Sequence, residues 1–82
     1  MIRILIADDH PIVRDGLAAV LGTQPDFTVA GEAGDGEQAV AQALALQPDV
    51  LLLDLAMPGL DGVGVLRRLQ ATPAPAGVLV GA

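Results

Sequence analysis

The sequence predicts an α/β fold, a parallel sheet with helices packed on its faces. Three observations predict it. Residues 4–7 and 50–53 are unbroken apolar runs, the pattern of strands covered on both sides. Between such runs, apolar residues recur at helical spacing. Strand and helix signals then alternate along the chain, which requires parallel strands joined by crossover helices.

Taken in order, residues 2–7 read as the first strand, and Pro11 opens the first helix, where its missing N–H costs nothing. Val13, Leu17, Val20 and Leu21 form an apolar stripe on that helix, and Gly22 is placed to end it. Residues 27–33 alternate loosely, as a strand near a sheet edge does. Asp35 caps a second helix, with Gln38 three residues on in capping-box position. Val40, Ala43 and Leu44 supply its buried stripe, and Pro48 closes it. Residues 49–54 are a second central strand. Asp61 caps a third helix with Val65, Leu66 and Leu69 inward, weakened by Gly62 and Gly64 at about 1 kcal/mol each. A turn-rich loop over 72–77 leads to a short fourth strand over 78–82.

The chain has 82 residues, room for one domain and close to the size at which a single core becomes marginal. Its one aromatic residue is Phe27, so the core is built from Val, Leu, Ile and Ala. Ten acids face four arginines and no lysine; the net charge of -6 argues against unaided binding of nucleic acid or an anionic membrane. It favours cations and basic partners. No cysteine is present to form a disulfide framework, and no run reaches the length of a membrane span. The expectation is a soluble, cytoplasmic protein.

Both central runs end in aspartate. In a parallel sheet the C-terminal ends of the strands share one edge, where open α/β sheets place their ligand sites. Asp8, Asp9 and Asp54 meet there if the two strands are neighbours. Three carboxylates in one crevice call for a positive partner, and hard oxygen donors suit Mg²⁺. Taken singly, Asp8–Asp9 reads as a loop leaving the core, and Asp54 fits a loop or a site equally well. The two strand ends together point to a site. His10 lacks the His or Cys partners of a zinc centre and reads as a helix N-terminal residue without assigned chemistry. Asp15, Asp26, Glu32, Glu37 and Asp49 read as solvated or capping acids, and Arg67 and Arg68 as an exposed pair complementing a helix dipole. No Walker-type lysine or G-x-G-x-x-G is present, and Asp54 lacks the second acid, two residues on, of a metal-dependent phosphatase.

The segments ADDHPIVRDGL, DVLLLDLAMPGLDG and VLRRL resemble the receiver domain of bacterial two-component response regulators, most closely the subgroup preceding a LuxR/NarL-type helix-turn-helix domain. The resemblance implies a flavodoxin-like sheet with strand order 2-1-3-4. It implies that Asp54 is the phospho-accepting aspartate and that Asp8 and Asp9 are the acidic pair holding Mg²⁺. The main-chain carbonyl of Ala56 matches a further metal ligand, and Met57 and Pro58 match the shaped loop after the acceptor. The phosphodonor would be a sensor histidine kinase.

The family pattern has five strand–helix units, whereas residues 1–82 match three and a fourth strand. The expectation is therefore an incomplete receiver domain without an output domain. The family's fifth-strand lysine has no counterpart among these residues, and Gly81 stands where the family has a switch Thr or Ser. Impaired phosphorylation is expected, and so is a homo-oligomer formed through the fourth strand and uncovered apolar faces. The alternative is a self-association module or receiver fragment that is not phosphorylated.

Overall fold

The computed structural model describes residues 1–54, residues 64 and 67, and the main chain of residues 77–81. Strands β1 (Ile2–Ala7), β2 (Phe27–Ala33), β3 (Val50–Asp54) and β4 (Gly77–Gly81) form one parallel sheet in the order β2-β1-β3-β4. Helix α1 (Pro11–Gly22) connects β1 to β2, and α2 (Gly36–Leu46) connects β2 to β3. These crossovers run in opposite directions across the sheet, so right-handed connection puts the two helices on opposite faces. The strand order is the 2-1-3-4 expected of a flavodoxin-like sheet. Gly64 and Arg67 are helical, in keeping with a third helix, and Arg67 is exposed. Asp61, Gly62, Val65, Leu66, Arg68 and Leu69 lie outside the described residues, as does the 72–76 stretch of the expected loop.

The main core lies between the sheet and α2. Leu5, Ala7, Ala33, Leu51 and Leu53 meet Ala39, Val40 and Ala43 there, all buried. Each fully buried leucine contributes about 1.5–3 kcal/mol by leaving water. Register explains the clustering: Leu5 pairs with Leu51 and Ala7 with Leu53, so these apolar pairs point to one side. Gly31 brings β2 close to α2. A Cβ built on it would sit 2.6 Å from Gln42 Oε1 and 2.8 Å from Leu46 Cδ1. Register shifts between Ile4 and Leu5, leaving Ala30 as an extra residue on the β2 side.

Several elements differ from the sequence expectation. The α1 stripe is not buried: Val13, Leu17 and Val20 are 46%, 36% and 64% exposed, and no residue of α1 is buried. The helix rests mainly on β1 and β2. On α2 the face toward the sheet is Gly36, Ala39, Val40 and Ala43, and Leu44, one position further round, is 38% exposed. Gly22 does not stop α1 through a left-handed turn; it is the last helical residue. Thr23 caps the end in a right-handed conformation, its hydroxyl donating to the Val20 carbonyl at 2.7 Å. The left-handed residue is Gln47, φ 50, which ends α2 just before Pro48.

Asp35 does cap α2, accepting from the Gln38 N–H at 2.8 Å, but Gln38 Oε1 reaches back to the Gly34 N–H instead of completing a reciprocal box. Asp49 precedes β3 and is exposed, and its carboxylate accepts from the Arg3 N–H at 2.8 Å. Arg3 in turn donates through Nη1 to the Leu46 and Gln47 carbonyls, satisfying orphan acceptors at the end of α2. The fourth strand begins at Gly77 and ends at Gly81.

Candidate functional site

The parallel pairing of β1 with β3 matches Ala7 to Leu53, so the chain leaves both strands at the same height. Asp8 follows the first strand and Asp54 ends the other. Asp8, Asp9, His10 and Asp54 each offer one donor atom, and these atoms lie within 4.8 Å of one another. The structure thus brings together the three acids singled out from the strand ends, and adds His10. Gly81 pairs with Asp54 on β4. Ala56, Met57 and Pro58 lie outside the described residues.

Local chemistry fixes the turn between β1 and α1. The Asp8 N–H extends the sheet by donating to the Ala33 carbonyl at 3.0 Å. Asp8 Oδ1 then accepts from the His10 N–H at 2.8 Å and from His10 Nδ1 at 3.0 Å. His10 is the N-cap residue of α1, and Pro11 takes the first helical position. One turn on, Arg14 donates from Nη1 to the Asp8 carbonyl at 2.8 Å. Its Nε lies 3.6 Å from Glu32 Oε1, an ion pair that joins α1 to β2. The guanidinium therefore props the loop carrying Asp8 without spending its charge on the carboxylates of the site.

Neither His10 nor Arg14 was assigned a role from the sequence. The signal was present: Pro11 fixes the helix start, which makes His10 the cap beside the acids and sets Arg14 one turn later, over the strand end.

Like charges so close together repel, and His10 is drawn into their field. Its pKa is held above the ordinary value of about 6.5, first by the hydrogen bond to Asp8, then by the charge of Asp9, with lesser help from Asp54. The hydrogen bond of Nδ1 goes to Asp8. Asp9 Oδ1 stands equally near, at 2.9 Å, yet is buried and takes no hydrogen bond. A buried anionic oxygen without a donor is costly. A divalent cation among these oxygens supplies what is missing, and three carboxylates are the donor chemistry that hard ions such as Mg²⁺ prefer. The residues present fit such an ion.

Known proteins resemble this chain over most of its length. The response regulator receiver domain family model matches residues 4–81. The transcriptional regulatory protein LiaR of Bacillus subtilis is 52% identical over 69 residues, covering 84% of this chain and 33% of LiaR. The nitrate/nitrite response regulator protein NarL of Escherichia coli is 48% identical over 67 residues, covering 82% of this chain and 31% of NarL. The crystal structure of the response regulator domain of Thermotoga maritima CheB superposes with a TM-score of 0.93 at 36% identity, covering 98% of this chain and 59% of that one. The chain thus spans about a third of the length of these curated relatives.

Proposed function

The chain belongs to the response regulator receiver domain family, and on that premise we propose that it is a signalling module in which Asp54 accepts a phosphoryl group beside a Mg²⁺ ion. Receiver domains accept phosphate from sensor histidine kinases and generally bind Mg²⁺ at acidic residues; they are signalling modules, mostly without enzymatic activity of their own. The observation that supports the reading here is the meeting of Asp8, Asp9 and Asp54 where β1 and β3 end, with a buried, unsatisfied oxygen on Asp9.

Asp8, Asp9 and Asp54 would hold the ion, with the Ala56 carbonyl as a main-chain ligand and Met57 and Pro58 shaping the loop. When bound, the ion neutralises charge on the attacking and transferred oxygens. Asp54 then attacks phosphorus with a carboxylate oxygen. A P–O bond forms, the P–N bond of a phosphohistidine donor breaks, and the bonding pair leaves with the imidazole. Arg14 holds the Asp8 main chain in place during this step, and β3 presents Asp54 at its tip. Addition of phosphate brings roughly 1.5–2 further negative charges, by analogy with phosphoserine, enough to bias a two-state surface.

Residues 1–82 contain no lysine, and Gly81, which pairs with Asp54 in the position of the family's switch Thr or Ser, carries no hydroxyl. Phosphate uptake by these residues alone is therefore slow, because charge compensation on the transferred group is incomplete. The relatives named as transcriptional regulators support a role in transcription control for a longer protein carrying this domain. A second reading, self-association of residues 1–82, is favoured by the exposed apolar face of α1 at Ile12, Val13 and Val20 and by the edge position of β4. A stable monomer by light scattering would count against it.

Incubation with a small phosphodonor and Mg²⁺, read by intact mass, tests the proposal. Slow, partial gain of one phosphoryl group, absent in Asp54→Asn, is expected. Gain that persists in Asp54→Asn overturns the acceptor assignment, and rapid, near-complete gain overturns the slow uptake.

A further inference from the structure

We propose that His10 is a side-chain ligand of the same divalent ion through Nδ1, so that the site is an oxygen–nitrogen set that binds imidazole-preferring ions such as Co²⁺ and Zn²⁺ as well as Mg²⁺. The proposal rests on the reading of Asp8, Asp9 and Asp54 as a divalent site.

Donor spacing carries it. Two ligand atoms bound at about 2.1 Å to one ion lie about 3.0 Å apart when they subtend a right angle and about 3.4 Å apart in a tetrahedron. His10 Nδ1 is 3.0 Å from Asp8 Oδ1 and 2.9 Å from Asp9 Oδ1, the separations of neighbouring ligands around one centre. It lies 4.0 Å from Asp54 Oδ2, so a small movement completes the set. The contact with Asp9 is close but is not a hydrogen bond, and the Asp9 oxygen is buried. The 2.9 Å separation is that of an ion pair and also that of two ligands of one ion, so a cation bound here replaces the proton at Nδ1. On coordination, Nδ1 exchanges the hydrogen it shares with Asp8 for the ion, and Nε2 carries the ring hydrogen.

Placement supports the role. His10 is the N-cap residue of α1 but makes no side-chain capping bond, so its ring is not needed to start the helix. The ring is 65% exposed, which leaves open coordination positions to water. Imidazole nitrogen contributes most to affinity for later first-row ions and little for Mg²⁺, which prefers oxygen.

The test is to titrate the 82-residue chain and its His10→Asn variant with Mg²⁺ and with Co²⁺ at about pH 8, where an ordinary imidazole is neutral. Asparagine is a good N-cap, so the variant keeps the helix start. Calorimetry reads affinity, and NMR reads the paramagnetically shifted imidazole N–H of a Co²⁺-bound histidine. The expected result is a shifted N–H signal in the wild type and a loss of about tenfold or more in Co²⁺ affinity on His10→Asn, while Mg²⁺ affinity changes by less than about twofold. Unchanged Co²⁺ affinity and no shifted N–H, with Mg²⁺ still bound, overturn the His10 assignment alone. Failure of the wild type to bind either ion overturns both this assignment and the divalent site beneath it.

Discussion

Arg14 donates from Nη1 to the main-chain carbonyl of Asp8 at 2.8 Å, tying the first turn of α1 to the end of β1. The same nitrogen would be 2.9 Å from a Cβ at position 34, so the loop after β2 needs Gly34 to let the guanidinium pass. Arg14 Nε is buried close to Glu32 without a hydrogen bond, so the group is held by Asp8 more than by its acidic neighbour.

Arg14→Met keeps much of the side chain's bulk and removes the donor. Hydrogen bonds to charged groups contribute about 1.5–3 kcal/mol, and the variant is expected to lose stability in that range. The urea midpoint should fall with no change in slope. An unchanged midpoint would mean that the contact does not hold the loop.

Gly31→Ala tests the close approach of β2 to α2. A methyl group there meets Gln42 Oε1, which can swing aside, and Leu46 Cδ1, which must repack. Overpacking of this kind costs about 1–3 kcal/mol. Thermal unfolding should show a lower midpoint for Gly31→Ala and a higher one for Gly16→Ala, where an added Cβ meets nothing and alanine favours the helix by about 0.5–1 kcal/mol.

The raised pKa of His10 sets a pH dependence in the metal-free chain. Because the folded-state value lies above the unfolded one, its contribution to stability is fully present below about pH 6.5 and is lost as pH rises through the folded-state pKa. An NMR titration of the imidazole should give a midpoint above about 6.5 that falls toward it in Asp8→Asn, since the bond to Asp8 is the largest cause. A midpoint at or below the ordinary value in the wild type would contradict the contact.

Much of this fold could be read in advance because its signals are local. Residues 4–7 and 50–53 have the pattern of buried strands, Pro11 and Asp35 mark helix starts, and neighbouring parallel strands that both end in acids bring those acids to one edge. Burial on the helices could not be read so well. Val13, Leu17 and Val20 have the spacing of a buried stripe, but burial depends on what lies beside α1, and periodicity does not report that. The end of α1 was misplaced because Gly22 suggested a left-handed stop where the Thr23 hydroxyl provides the cap. Arg3 was missed because its partners are main-chain carbonyls distant in sequence, which no spacing rule reveals, whereas the spacing from Pro11 could have placed Arg14 over the end of β1.

The central claim is that Asp9 and Asp54 share one divalent ion. A calorimetric Mg²⁺ titration of the wild type, Asp9→Asn, Asp54→Asn and Asp15→Asn tests it most directly, with the exposed Asp15 serving as a control for charge alone. One saturable site is expected, weakened about tenfold or more by Asp9→Asn and by Asp54→Asn and nearly untouched by Asp15→Asn. Equal weakening by all three variants, or none by the first two, would contradict it.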